Sequence, residues 1–148
     1  MGGEVLLVLE KGEVHKLRRF FDINPIVFIK GDDGIYSVEA PTEGDGCWIE
    51  FRGGNKVQVG YQVFDLCSEW ALAVACGIRD NFKVFKGGWD SVGYCKDFFT
   101  TFPFRAKIEI LQRFLNEKPN STSFEMLKDY RKYKKMYTKR VKEIFKSV

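Results

Sequence analysis

The sequence predicts an α+β fold: a mainly antiparallel sheet of about four to six strands, with helices packed on one face and a long basic helix at the C-terminus. Two observations predict it. Between residues 25 and 64, short runs of β-branched and aromatic residues alternate with glycine-rich turn signals, which is typical of antiparallel strands. On both sides of this region, apolar residues recur at helical spacing. No linker divides the chain, so we expect a single domain over residues 1–148.

The bulk composition of the 148 residues is that of a soluble globular protein, with 45% hydrophobic and 30% charged side chains. Wholesale disorder, a collagen-like repeat and a dense disulfide scaffold are excluded. The longest nearly uncharged stretch, residues 63–78, contains Asp65 and Glu69 and is shorter than the ~20 residues that a membrane-spanning helix needs. No secretory signal pattern is found at the start, so the sequence predicts a cytoplasmic location.

Five strands are predicted from turn chemistry and alternation. Asp33-Gly34 favours a hairpin because glycine tolerates the positive φ of tight turns, and residues 52–55 carry a second turn signal. The run Val5 to Leu9 is apolar throughout, which indicates a strand buried on both faces. The predicted strands cover residues 5–9, 25–30, 35–40, 47–51 and 56–64, and residues 81–86 are a further candidate.

Four helices are predicted from apolar residues at three- and four-residue spacing. The first ends near Asn24-Pro25, the second begins at Asp65 as N-cap, and the third begins near Thr101. The last covers residues 122–147 and is amphipathic and basic. The apolar stripes of the four are Val14, Leu17, Phe20 and Phe21; Cys67, Trp70, Ala71, Val74 and Ile78; Phe104, Ile108, Leu111 and Leu115; and Met126, Tyr130, Tyr133, Tyr137, Val141 and Ile144.

The positive charge of the chain is concentrated at its C-terminus. Residues 124–148 contain nine basic and three acidic side chains, a net charge of +6, although the whole chain carries only +4. Basic residues interleaved with tyrosines suit phosphate neutralisation and base stacking, so a nucleic acid or an acidic protein is the expected partner. The candidate binding residues are Lys128, Arg131, Lys132, Lys135, Lys139, Arg140 and Lys142.

Other interpretations of the same features stay open. The last helix could present a solvated lysine face while its tyrosines pack on the domain, or it could contact a partner protein, an acidic membrane surface or a second copy of the chain. A second aromatic-rich segment, residues 89–104, forms either core or a protein–protein interface, including that of a homodimer. Its interface candidates are Trp89, Tyr94, Phe98 and Phe99.

An enzymatic function has little support in the sequence. The residues Asp33, Glu50, Arg52 and Gln62 resemble the spaced acid and E-x-K pattern of metal-dependent nucleases, but arginine replaces the lysine and cannot give up its proton. Cys95 with His15 as base is a second candidate pair. The glycine pairs match no phosphate-binding motif. We therefore predict no catalytic residue, no metal site and no cofactor, and we expect the four cysteines to be buried thiols.

Overall fold

The computed structural model describes residues 2–41, 46–62, 67–84, 132 and 135–148. These residues form five strands, three helices and a terminal 3-10 turn, which confirms the α+β class. The elements are β1 (Gly2–Val8), α1 (Glu13–Asp22), β2 (Ile29–Lys30), β3 (Tyr36–Glu39), β4 (Gly46–Arg52), β5 (Lys56–Gln62), α2 (Cys67–Asn81), α3 (residues 135–144) and the 3-10 turn Phe145–Ser147.

The five strands form one antiparallel sheet in the order β1-β5-β4-β3-β2. Strands β2 to β5 follow one another as the meander that the sequence predicts. Strand β1 lies beside β5, with Val5 opposite Val59, so the first and the last strand of the sheet in sequence are neighbours. The local sequence pattern does not predict this pairing, because β1 would bury its apolar residues equally well beside a different strand of the sheet.

One face of the sheet is covered and forms the core. Along β3 the burial alternates strictly, with Tyr36 and Val38 buried and Ser37 and Glu39 exposed, as a period of two requires. Strand β1 was predicted to be buried on both faces, and this is wrong: Leu6 and Val8 are only half-buried, because they lie on the opposite face. The buried apolar side chains of the sheet are those of Val5, Leu7, Tyr36, Val38, Cys47, Ile49, Val57 and Val59.

Both predicted hairpin turns are present, and each uses a residue with positive φ. Gly34 has a φ of 82°, and the backbone N–H of Ile35 donates to Oδ1 of Asp33 at 3.0 Å. Gly54 and Asn55 have φ values of 76° and 62° in the turn between β4 and β5. Glycine and asparagine are the residues that adopt this conformation at low cost, so the turn chemistry explains the register of both hairpins.

Two predicted strands are shorter in the structure. Residues 25–28 form turns, in which the carbonyl of Asn24 accepts the backbone N–H groups of Val27 and Phe28, so only Ile29–Lys30 pairs with β3. The candidate strand at 81–86 is wrong at its start, because α2 continues to Asn81, whose side-chain amide donates to the carbonyl of Gly77 at 2.8 Å. Within the described residues, this segment contributes one isolated bridge, from Val84 to Leu9.

Helix α1 confirms the first predicted amphipathic helix. Leu17, Phe20 and Phe21 are buried on the sheet, and the rings of Phe21 and Phe28 stack at a centroid distance of 4.0 Å. Glu13, in the first turn, is buried as well. Its Oε1 accepts the backbone N–H of Lys83 at 3.1 Å. This hydrogen bond links the start of α1 to the segment that follows α2.

Helix α2 contacts both the sheet and the C-terminal segment, and its buried surface is wider than the predicted stripe. Ala73, Ala75 and Cys76 are buried in addition to Trp70, Ala71, Val74 and Ile78, the predicted residues whose side chains are described. The indole N–H of Trp70 donates to the carbonyl of Val38 at 2.9 Å in the buried core. The ring of Trp70 also packs edge-on against Tyr137 at 5.4 Å. Trp70 therefore contacts both layers.

The predicted length of the basic helix over residues 122–147 is not confirmed. The structure describes helical backbone at residue 132 and over 135–144, after which the chain tightens into the 3-10 turn. The described end of its apolar stripe is confirmed, because Tyr137, Val141 and Ile144 are buried. The predicted cap at Asp65 and the predicted third helix, with Phe104 and the residues that follow, lie outside the described residues. Among the described residues we find no helix whose length and hydropathy would allow it to span a bilayer.

We expect Gly77→Ala to destabilise the fold by about 1–2 kcal/mol, measured by urea unfolding. A Cβ at this position would lie 2.6 Å from the ring of Phe145 and 2.7 Å from Val141, and such overpacking costs about 1–3 kcal/mol, partly offset by the better helix propensity of alanine. Gly53→Ala is the control, since no atom lies within 4 Å of the added Cβ. Equal stability of the two variants would show that α3 does not pack closely on α2.

Candidate functional site

The described lysines of the C-terminal segment are all exposed and regularly spaced. Lys132, Lys135, Lys139, Lys142 and Lys146 follow one another at intervals of three and four residues, and the side chain of each is exposed to solvent. Intervals of three and four keep residues on one side of an α-helix. We call these five residues the lysine face.

The packing of α3 determines where the lysine face points. At about 100° per residue, Lys135, Lys139 and Lys142 fall within an arc of about 60°, and the apolar stripe of the same helix falls on the opposite side. Tyr137 and Val141, from that stripe, are 1% and 8% exposed because they pack against the domain. The buried stripe therefore holds the lysine face toward solvent.

The charge of the lysine face is not neutralised by the described part of the domain. The ion pair of this segment joins Arg140 to Glu143, with an N–O distance of 3.6 Å, at the border of the lysine face. Within the described residues, no carboxylate lies within ion-pair distance of a member of the lysine face. An exposed pair such as Arg140–Glu143 contributes little to stability, and its carboxylate is paired with Arg140 and not with a member of the lysine face.

The predicted binding residues are described only in part. Lys132, Lys135, Lys139, Arg140 and Lys142 are present, and Arg140 is half-buried at the edge of the face. Lys128 and Arg131 lie outside the described residues, and so do the interface candidates Trp89, Tyr94, Phe98 and Phe99.

The expectation that tyrosines of the last helix stack on bases is wrong for Tyr137. Its ring is 1% exposed and packs against Trp70, so no base can reach it. Tyr130 and Tyr133 lie outside the described residues. The described part of this helix therefore offers charge to a partner, and no aromatic platform.

A separate small pocket lies where α1, the β2–β3 hairpin and β4 meet. Its volume is about 270 Å³, and Arg18, Lys30 and Asp33 in its lining are exposed to solvent. The pocket brings together Asp33 and Glu50, the two acids that the sequence singled out. Its cationic residues, Arg18 and Lys30, were missed, because they come from elements whose proximity only the sheet order decides. The lining residues are Arg18, Lys30, Asp33, Gly34, Ile35, Tyr36, Glu50 and Phe51.

The residues of the nuclease-like pattern are engaged in local contacts. Glu50 forms an ion pair with Arg52 at 3.3 Å, and Oδ1 of Asp33 accepts a backbone N–H within its own turn. In the described ranges, no group of three His, Cys, Asp or Glu side chains could hold a metal ion. His15 is exposed on α1, whereas Cys95 lies outside the described residues.

The expectation of buried thiols is confirmed for two of the four cysteines. Cys47, on β4, and Cys76, on α2, are buried reduced cysteines within the core. The Cys67 side chain and Cys95 belong to the parts of the chain that are not described. The cytoplasmic location stays a prediction.

Tyr36 forms the floor of the pocket and joins β3 to the end of α1. Its hydroxyl donates to Oδ1 of Asp22 at 2.6 Å. Burial, followed by this hydrogen bond and the negative charge of Asp22, raises the pKa of Tyr36 to about 12, although nearby Arg18 acts in the opposite direction. The phenol is therefore neutral at physiological pH and acts as a structural donor.

Comparison with protein-family models, with curated proteins and with solved structures finds no match to this chain.

Because the pKa of Tyr36 is raised, we expect the free energy of unfolding to decrease as the pH rises from 10 to 12. The pKa is raised from 10.0 to about 12 in the fold, so the unfolded chain releases its proton first as the pH rises. The contribution of the protonated Tyr36 hydroxyl to the free energy of unfolding is complete below pH 10. It decreases toward pH 12, by about 2–3 kcal/mol in total. Urea unfolding at several pH values measures it.

The control for this pH dependence is Tyr36→Phe, which has no proton to lose at this position. We expect a shallower fall in the free energy of unfolding than in the wild type over the same pH interval. The pH dependence of Asp22→Asn should lie between those of the wild type and Tyr36→Phe, because this substitution removes the charge that disfavours the phenolate. Identical pH profiles for wild type and Tyr36→Phe would show that the Tyr36–Asp22 contact is not formed in solution.

Proposed function

We propose that this chain is a small binding module that holds nucleic acid through the lysine face of its C-terminal helix. The observation that carries the proposal is the division of α3 into two sides. Tyr137, Val141 and Ile144 are buried on the domain, whereas the lysines between them are exposed. A helix that is attached by one side and cationic on the other is suited to present charge to a large anion.

The spacing of the lysine face favours a phosphate backbone as the partner. Within α3 the face extends about 10 Å from Lys135 to Lys142 at the rise of an α-helix, and it carries a cation in each turn. Nucleic acids present phosphates as regularly spaced charges, and each neutralised phosphate releases counterions. Lysine is a compact point charge without the planar fork of arginine, so we expect contacts with the backbone that do not depend on base sequence.

The charge distribution along the chain supports the same orientation. Residues 124–148 carry a net charge of +6, and the rest of the chain therefore carries −2. A molecule with separated charge of this kind is turned by the field of a polyanion so that its basic end approaches first. The acidic remainder also disfavours binding of nucleic acid across the whole surface.

We expect Lys135→Glu/Lys139→Glu/Lys142→Glu to weaken salt-sensitive binding to a fluorescein-labelled DNA duplex and to an RNA hairpin, measured by anisotropy. Wild-type affinity should fall steeply with salt, by a slope of about 0.9 in the double-logarithmic plot for each phosphate contacted on DNA. The variant should bind at least about tenfold more weakly and lose about three units of slope.

The matched control is Lys11→Glu/Lys56→Glu/Lys83→Glu, which makes the same change of net charge at three other exposed lysines. We expect this control to bind almost as the wild type does. Equal weakening by both triple variants would mean that net charge alone acts, which overturns the proposal. Failure of the wild type to bind either nucleic acid also overturns it and leaves an acidic protein as the candidate partner.

A second candidate function is self-association through the edge of the sheet at β2. Strand β2 pairs with β3 and ends the described sheet, so its outer edge is open to another strand. Ile23, Ile26 and Ile29, at and before this edge, are 67%, 91% and 47% exposed. Edge-to-edge contact of two copies about a two-fold axis would cover the same residues on both.

We expect the wild type to show a concentration-dependent dimer by sedimentation equilibrium, and Ile26→Lys to shift the equilibrium to monomer. A lysine at the interface would bury a charge without a partner. Val148→Lys is the control, because it places the same charge at another exposed apolar residue, which is 54% exposed. A monomeric wild type at high micromolar concentration, or equal behaviour of both variants, would contradict the dimer.

A further inference from the structure

The polar pocket at the β2–β3 hairpin is lined by side chains of both charges that do not form ion pairs with one another. Arg18 and Lys30 form one group of lining residues, and Asp33 and Glu50 form the other. Within the described residues, no ion pair joins a member of the first group to a member of the second. Opposite charges that share a pocket and do not pair leave room for a ligand between them.

The two cations are held in place by aromatic rings. The guanidinium of Arg18 lies 4.7 Å from the centroid of Phe51, and the ammonium of Lys30 lies 5.7 Å from the centroid of Tyr36. Contact with a ring face orients a cation without using its hydrogen-bond donors. The N–H groups of both side chains therefore stay available to an anionic group in the pocket.

The carboxylates are held by contacts that use only part of their acceptor capacity. One oxygen of Asp33 accepts the N–H of Ile35, and one oxygen of Glu50 contacts Arg52. A carboxylate offers about four acceptor sites on its two oxygens. Both side chains can therefore accept further hydrogen bonds from an ammonium group.

The size and net charge of the pocket restrict its ligand. The two cations and two carboxylates of the lining sum to zero, so a simple anion meets two repelling carboxylates and a metal cation meets two repelling ammonium or guanidinium groups. The volume of about 270 Å³ lies just below the usual range for drug-sized ligands. A small molecule with separated positive and negative groups matches both properties.

We propose that this pocket binds a small zwitterion of the α-amino acid class, with its carboxylate on Arg18 and Lys30 and its ammonium on Asp33 and Glu50. Phe51 and Ile35 are also in the lining. This proposal concerns a surface that does not include the lysine face, so it stands independently of nucleic-acid binding.

The test is a titration of the full chain, followed by the backbone amide signals of residues 30–36 and 50–52 in nuclear magnetic resonance spectra. The probes are glycine, L-leucine and two analogues of leucine with one charge each: 4-methylpentanoate, which lacks the ammonium, and 3-methylbutylamine, which lacks the carboxylate. We expect at least one of the two amino acids to shift these signals with saturation. Each one-charge analogue should bind at least about tenfold more weakly than leucine, because it meets only half of the charged lining.

The matched variants are Lys30→Gln, Asp33→Asn and Lys56→Gln. The first two remove one charge of each sign from the lining, and asparagine at position 33 retains the oxygen that accepts the N–H of Ile35. We expect each to weaken amino-acid binding at least about tenfold. Lys56→Gln removes an exposed charge from β5 outside the pocket and should bind as the wild type does.

Three results would overturn the proposal. One is the absence of saturable shifts with both amino acids. Another is binding of 4-methylpentanoate as tight as that of leucine, which would identify a site for simple anions. The third is unchanged binding by both pocket variants. None of these results bears on the nucleic-acid titration, so the two proposals fail separately.

Discussion

The packing of α2 against both the sheet and α3 is the constraint on which the rest of the structure depends. The indole N–H of Trp70 donates a hydrogen bond to the carbonyl of Val38 in the sheet, and the indole ring packs against Tyr137 in α3. Gly77 allows α3 to approach where any side chain would meet Phe145. The rotation of α3 about its own axis is thereby determined, and the side that holds the lysine face is the side left in solvent.

The two candidate sites use charge in different ways. The lysine face is an open row of one sign, so its attraction acts over distance and is weakened by salt. The pocket holds both signs at short range beside aromatic rings, so it selects by the arrangement of charges within a small molecule. A neutral Tyr36, donating to Asp22, keeps β3 and α1 together beneath the pocket. The same aromatic core therefore supports a surface for a large anion and a cavity for a small ligand.

Much of the architecture could be predicted from local pattern. Alternation along β3, the turn at Asp33-Gly34 and the apolar stripe of α1 each depend on residues that are close in sequence, and the structure confirms all three. The turns after Asn24 were not predicted, because they depend on which carbonyl accepts the N–H groups of Val27 and Phe28. That choice shortened a strand which composition alone favoured.

The amino-acid sequence by itself determined the class of fold, the hairpins and the separation of a basic C-terminus from an acidic remainder, because these follow from periodicity, turn chemistry and charge counting. The tertiary structure determined which strands and side chains lie next to one another. It placed β1 beside β5, buried Tyr137 against Trp70, and brought Arg18 and Lys30 to the pocket that Asp33 and Glu50 line. Contacts between residues far apart in sequence depend on how the sheet and the helices pack against one another, and a local sequence pattern does not specify them.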